Sequence, residues 1–329
     1  LLKKPQVEFD PLSHLHNTYE NDLKIVNQLI FEYINTTEPL IEKISQALLS
    51  AGGKRLRPLL CLASADLSGG ITKNSHKIAA AIELIHLATL LHDDVIDESN
   101  LRRGKKTANT LWGNKTSILV GDFLFARAFE LIVKTDNIRF LEILAKASTT
   151  ISRGEIAQLR CSCSLELSTE EYLKIIEYKT ATLFAAACQT GSLSSEADEN
   201  KADFLYKFGK NFGLAYQILD DIFDYTHKNR GKETGEDFRE GKVTLPVLLG
   251  YNADPNKHIW HKYFGENKEN YNSFNAIKNR LNNLDSFNQS IKVAQEYAKE
   301  ANKMLESFDS HVKKDFSLLL KSFLDNNSQ

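Results

Sequence analysis

The sequence predicts an all-α protein, and three observations carry that prediction. Only six prolines occur in 329 residues, and none lies between Pro58 and Pro246; proline breaks helix interiors, so such a stretch suits successive helices. Apolar residues recur at three- and four-residue steps, as in Ile78, Ala81, Ile82, Ile85 and Ala88, which is the helical period. Alternating apolar and polar runs bounded by hairpin turns are not evident.

Each element follows from its local pattern. Residues 78–91 carry only Glu83 and His86 as plainly polar groups, so this helix is expected to be surrounded by others in the middle of a bundle. Phe125, Ala128, Phe129 and Ile132 repeat the helical step. So do segments 169–191 and 201–224, the first opened by Ser168-Thr169-Glu170-Glu171 as an N-cap with first-turn acids. Residues 258–329 are Lys- and Asn-rich but keep helical spacing at Val293, Tyr297, Ala301 and Leu305. Gly, Asn, Pro and charge place loops near 68–75, 99–107, 226–242 and 252–257. With no linker and no solenoid repeat, one domain over 1–329 is expected, with 1–20 as a loosely ordered N-terminal arm.

Composition narrows the function. A formal charge of −2 at pH 7 argues against a generally basic nucleic-acid binder, so no nucleic-acid partner is expected. No apolar run approaches the roughly 18–20 residues of a membrane span. The chain opens Leu1-Leu2-Lys3 without Met, so its true start is expected to be missing, and no secretory segment is evident. Cys61, Cys161, Cys163 and Cys188 are too scattered for a disulfide framework. Cys161-Ser162-Cys163 offers half a metal site with no second half. Free thiols in a reducing cytoplasm are expected.

The chemistry concentrates in two clusters, Asp93-Asp94-Val95-Ile96-Asp97 and Asp220-Asp221-Ile222-Phe223-Asp224. Each reads Asp-Asp-x-x-Asp and ends an apolar helical run. Residues i and i+4 share a helix face, so Asp93 projects with Asp97 and Asp220 with Asp224. Like charges so placed repel unless cations neutralise them. Oxygen ligands of this kind suit Mg²⁺, which keeps waters and is completed by substrate phosphates. Basic runs supply fixed cations: Gly52-Gly53-Lys54-Arg55-Leu56-Arg57-Pro58, Arg102-Arg103-Gly104-Lys105-Lys106, Gly231-Lys232 and Gly241-Lys242. Neither a Walker A loop nor a Gly-x-Gly-x-x-Gly turn accompanies them. The pattern points to a clamp for Mg²⁺ and a diphosphate.

These residues resemble the trans-isoprenyl diphosphate synthases, over most of the chain from Gly52 to the region Tyr297–Phe323. The matching segments are GGKRLRP (52–58), IHLATLLHDDVIDESNLRRGKKTAN (85–109), VGDFLFARAF (120–129), YKTATLFAAAC (178–188), AYQILDDIFDY (215–225) and GKETGEDFREGKVTLP (231–246). The likeness is closest to the octaprenyl-to-decaprenyl members that make ubiquinone side chains. It implies an all-α bundle with a central cavity, a homodimer, and a cytoplasmic enzyme that meets the membrane transiently to release its product. It also implies head-to-tail condensation of isopentenyl diphosphate onto an allylic diphosphate, farnesyl or geranylgeranyl, to about C40–C50.

The resemblance implies roles at matching positions. Lys54, Arg57, His86 and Arg103 would hold isopentenyl diphosphate. Asp93 and Asp97 would bind two Mg²⁺ ions on the allylic diphosphate and Asp220 a third, with Asp94, Asp221 and Asp224 supporting them through waters. Arg102, Lys179, Thr180, Gln217, Lys232 and Lys242 would contact the allylic substrate or its leaving group. Loops 99–107 and 226–242 would form a lid, shaped in part by Asp237 and Arg239. The loop from Asp224 to Lys232 is about two residues shorter than is common in the family, which bears on the reach of Lys232. Short-chain members commonly place an aromatic four or five residues before the first aspartate. Ala88 and Thr89 stand there, so the tail is expected to pass them toward a deeper floor, with Phe125 and Phe129 as candidates. The alternatives are a C15–C20 synthase, a terpene cyclase, a His-Asp phosphohydrolase and a non-catalytic partner subunit. The second Asp-Asp-x-x-Asp cluster, the basic residues and the full set of aspartates weigh against the last three.

Overall fold

The computed structural model describes residues 9–226, 235–264 and 271–325. In chain order its helices are α1 (Pro11–Thr18), α2 (Glu20–Ile34), α3 (Pro39–Ser50), α4 (Leu56–Ser68), α5 (Lys73–Ile96), α6 (Ala108–Trp112), α7 (Asn114–Val133), α8 (Ile138–Arg160) and α9 (Thr169–Ile176). A π-helical segment (Glu177–Ala181) leads into α10 (Thr182–Ser194), followed by α11 (Glu199–Thr226), α12 (Glu236–Glu240), α13 (Leu245–Ala253), α14 (Lys257–Phe264), α15 (Tyr271–Asn283), α16 (Ser286–Met304) and α17 (His311–Asp325).

The apolar helix expected in the middle is α5. It packs against α2, α4, α7 and α10, and its Ile78–Ile85 stretch is buried on every face. Its start is fixed by a capping box between Thr72 and Ser75, which satisfies two of the orphan N–H groups of a helix N-terminus. The expected cap at Ser168 forms the same reciprocal pair with Glu171 and opens α9. The second aspartate cluster lies near the end of α11, which packs along α10 and α16.

Three features depart from the sequence expectation. Residues 169–191 are not one α-helix, because the π segment inserts an extra residue per turn between α9 and α10; such bulges gather at functional sites. Within 99–107 a two-residue antiparallel ribbon forms, β1 (Leu101–Arg102) on β2 (Lys105–Lys106), where no strand pattern was evident. Its turn is made by Arg103 and Gly104, both left-handed at φ +52° and +75°, the geometry a two-residue hairpin requires. Of the stretch 1–20 expected as a loose arm, residues 1–8 lie outside the described residues and Pro11–Thr18 form α1. Asp10 caps it, and Leu15 and Tyr19 are buried against the core.

Away from the aspartate clusters, Asp254 joins three elements. Its carboxylate accepts Trp260 Nε1 at 2.8 Å, Arg280 Nε at 2.5 Å and the Asn256 N–H at 2.8 Å. Chiefly the Arg280 bond holds its carboxyl well below the usual carboxylate range. The unfolded chain then binds more protons in acid, so this contribution is present above about pH 4 and is lost as pH falls below it. Asp254→Asn is expected to cost about 2 kcal/mol at pH 7, with the gap from the parent narrowing below pH 4 in denaturant titrations.

Candidate active site

Both aspartate clusters sit in the last turns of their helices, α5 and α11. A helix C-terminus carries partial negative charge, so clustered carboxylates there demand cations. The two clusters are built alike, with the middle aspartate turned inward. Asp94 is 2% exposed and takes Arg102 in a two-pronged bond, Nε at 2.8 Å and Nη2 at 2.7 Å. Asp221 is 4% exposed and accepts the Tyr172 hydroxyl at 2.6 Å and Gln217 Nε2 at 2.8 Å. Burial first, then the nearby Asp237, pushes its carboxyl well up. The outer acids differ: Asp93 and Asp97 are half-buried and Asp220 is exposed. Asp93 is pushed up to about 6 by burial, against the pull of Lys179.

Asp224 has a visible structural job. Its carboxylate accepts the backbone N–H groups of Glu236 and Asp237 at 3.0 and 3.1 Å, and so ties α12 to the end of α11. On the facing side Lys242 Nζ reaches Asp97 at 2.9 Å and Glu240 at 2.5 Å. This ion pair bridges the 235–242 segment to the first cluster. Glu240 is pushed up to about 7, mainly by burial. Lys232 lies outside the described residues. Among the described residues no group of three or more His, Cys, Asp or Glu forms a ready metal cage.

The basic run after the diglycine divides. Arg55 turns inward to a buried ion pair with Glu83, which is 4% exposed. Removing Glu83 strands that guanidinium, so Glu83→Ala is expected to lower stability by about 3 kcal/mol in denaturant melts. Arg57 stacks on Phe184 with its guanidinium carbon 4.3 Å from the ring centre, and its Nη1 meets His86 Nε2 at 3.1 Å. Burial, then the surrounding arginines and Arg57 first among them, holds His86 well below the usual imidazole range. His86 is therefore neutral and accepts from Arg57. Arg103 lies over Gly53, where a Cβ would sit 2.7 Å from its Nη1, so a side chain there would push the guanidinium aside. Lys54 has its pKa lowered by burial, against the pull of Asp220.

The π segment places Lys179 and Thr180. Lys179 Nζ is held by Glu155 and Gln158 of α8, each at 2.7 Å. Gly154 permits the close crossing, since a Cβ there would be 2.8 Å from the Lys179 nitrogen. Thr180 Oγ1 donates to Gln217 Oε1 at 2.8 Å, extending the Tyr172–Asp221–Gln217 chain. Glu155, Gln158, Tyr172 and Glu240 escaped the sequence reading. Glu83 stood out there only as one of two polar groups in an apolar run.

The chain-length candidates separate. Thr89 is half-buried, as His86 and Asp93 are, and its hydroxyl donates to the His86 carbonyl at 2.8 Å. Ala88 is fully enclosed in the core. Phe125 and Phe129 are half-buried on α7 with ring centres 5.6 Å apart. The four cysteines are free thiols. Among the described residues no helix is long and apolar enough to cross a membrane.

Comparison with known proteins agrees with this geometry. A family model described as polyprenyl synthetase matches residues 38–281. An all-trans-nonaprenyl-diphosphate synthase from Rhodobacter capsulatus is 43% identical over 230 residues, 69% of this chain and 70% of that protein. The octaprenyl diphosphate synthase of Escherichia coli is 40% identical over 240 residues, 72% of this chain and 74% of its own. A crystal structure of a decaprenyl diphosphate synthase from Rhodobacter capsulatus superposes with a TM-score of 0.92 at 37% identity, covering 96% of this chain and 99% of that one. A polyprenyl synthase from Caulobacter crescentus, complexed with calcium and isoprenyl diphosphate, also gives 0.92, at 40% identity over 97% and 99% of the two chains. The chain belongs to the polyprenyl synthetase family, as a long-chain trans-polyprenyl diphosphate synthase.

Proposed function

We propose that the site formed by the aspartate-bearing ends of α5 and α11 condenses isopentenyl diphosphate onto an allylic diphosphate repeatedly, to about C40–C50. The observation that carries this reading is the pairing of two acid-bearing helix C-termini with a separate basic set, Lys54, Arg57 and Arg103. Two diphosphates need two such sites. In this reading the basic set, oriented by neutral His86, binds isopentenyl diphosphate, and the acid side receives the allylic substrate.

Asp93, Asp97 and Asp220 are all-oxygen donors at negative helix ends, and among the described residues they do not close into a ready three-ligand cage. That donor set fits Mg²⁺, whose remaining positions go to water and phosphate oxygens. Bound Mg²⁺ stabilises negative charge on the departing diphosphate. In this reading Lys179 and Lys242 meet that charge, each already held by carboxylates and so positioned before the reaction. Arg102 acts one step removed, by locking Asp94 and the hairpin. The allylic C–O bond breaks, the alkene of isopentenyl diphosphate forms the new C–C bond, and the proton lost passes to released diphosphate. His86 has its Nε2 engaged by Arg57 and serves in binding. Segment 235–242, tied down by Asp224 and Lys242, excludes water from the cation.

The enzyme is further proposed to work as a homodimer. The outer faces of α7 and α8 expose Leu119, Val133, Ile138 and Ile156 at 67, 63, 69 and 69%, and a second copy covers such a stripe most simply. Light scattering is expected to give twice 37.2 kDa; a monomer at micromolar concentration contradicts the dimer. Cytoplasmic placement, with brief membrane contact for release of the lipid product, rests on the free thiols and on the product's chemistry.

The reaction is tested with labelled isopentenyl diphosphate. Incorporation into a solvent-extractable polyprenyl product is expected only with both an allylic primer and Mg²⁺. A cyclised hydrocarbon, or no turnover, overturns the proposal.

A further inference from the structure

Lys54 is met from both ends of the chain. Its ammonium lies 4.9 Å from the ring centre of Phe323, in the last turn of α17, and 5.8 Å from that of Tyr216 on α11. The two rings meet edge to face at 5.5 Å and 88°, and Phe323 packs against Phe212 in the same manner at 5.9 Å. An ammonium within about 6 Å of an aromatic face is attracted by the ring's negative quadrupole. The Lys54 backbone is held as well: His16 Nε2, in the last turn of α1, lies 2.9 Å from the Lys54 carbonyl. A carbonyl only accepts, so His16 carries the proton on Nε2. The two helices touch each other, with His14 of α1 3.5 Å from Asp315 of α17.

We propose that α1 and α17 form a clip on the isopentenyl diphosphate site, in which Phe323 and His16 position Lys54. The inference rests on the reading that Lys54 binds that substrate. Both are positioning residues: Phe323 holds the ammonium without neutralising it, and His16 fixes the backbone from which the side chain projects. A carboxylate in either place would compete with the diphosphate for Lys54; a π face and a carbonyl contact do not. The C-terminal helix thereby becomes part of substrate recognition although it carries none of the aspartate or basic motifs.

The test is steady-state kinetics of the full chain with each substrate varied in turn. Phe323→Leu is expected to raise KM for isopentenyl diphosphate about threefold to fivefold, with kcat and the allylic KM unchanged, and Phe323→Tyr to restore it. His16→Ala is expected to raise the same KM about twofold. Leu324→Ala, in the same turn without a π face, is expected to lower the melting temperature and leave both KM values alone. In a Lys54→Ala background Phe323→Leu should add nothing. The proposal is overturned if Phe323→Leu raises both KM values alike, if Leu324→Ala reproduces it, or if its effect persists without Lys54. Lys54→Ala with an unchanged isopentenyl diphosphate KM overturns the assignment of Lys54 and the clip with it. A raised KM there beside an unaffected Phe323→Leu overturns the clip alone.

Discussion

Asp93→Ala and Asp220→Ala are each expected to lower kcat by about a thousandfold, the scale of removing a group that stabilises transition-state charge. Neither change should unfold the protein. Asp93 is buried enough to be pushed up to about 6, so its charge costs folding free energy, a cost that grows from about pH 4 and is complete above about pH 6. Asp93→Ala should leave the melting temperature unchanged or raise it while activity collapses, the pattern of a group kept for function. Asp94→Ala should behave differently. It removes the partner of Arg102, strands a guanidinium and lowers stability. Measured kcat within tenfold of the parent for Asp93→Ala contradicts the site.

Thr89→Phe should shorten the product to about C15–C20. Thr89 sits one turn before Asp93, about 6 Å along the helix, and a ring there meets the tail after it leaves the diphosphate. Ala88→Phe is not an equivalent test. Ala88 has no exposed surface, so the larger side chain overpacks the core and destabilises by about 1–3 kcal/mol. Phe129→Ala should lengthen the ladder if the Phe125–Phe129 pair closes the far end. Sizing dephosphorylated products separates these outcomes, and an unchanged ladder from Thr89→Phe removes that face of α5 from length control.

The helices were legible in the sequence because their period and caps are local: the Ser168–Glu171 box formed as expected, and the apolar run 78–91 is the enclosed α5. The clusters were legible because their signal is a spacing within one turn. What escaped depends on tertiary contact. That Asp94 and Asp221 turn inward, that Arg55 pairs with Glu83 instead of joining Lys54 and Arg57, and that Glu155 and Gln158 grip Lys179 are each set by a neighbour 8 to 49 residues away. The π segment is illegible locally because Glu177–Ala181 has an ordinary helical composition. Gly154 on the crossing helix leaves room for it, a contact that only the packed fold shows. Helix α1 is written only faintly in the sequence: Leu12, Leu15 and Tyr19 keep helical spacing, but they are three residues in a polar stretch whose burial the packed fold reveals.

The most direct test of the central proposal is to incubate the full chain with Mg²⁺, farnesyl diphosphate and labelled isopentenyl diphosphate and to size the dephosphorylated products. A ladder ending between C40 and C50 is the expected result. A stop at C15–C20, or a cyclised hydrocarbon, contradicts long-chain synthesis at this site.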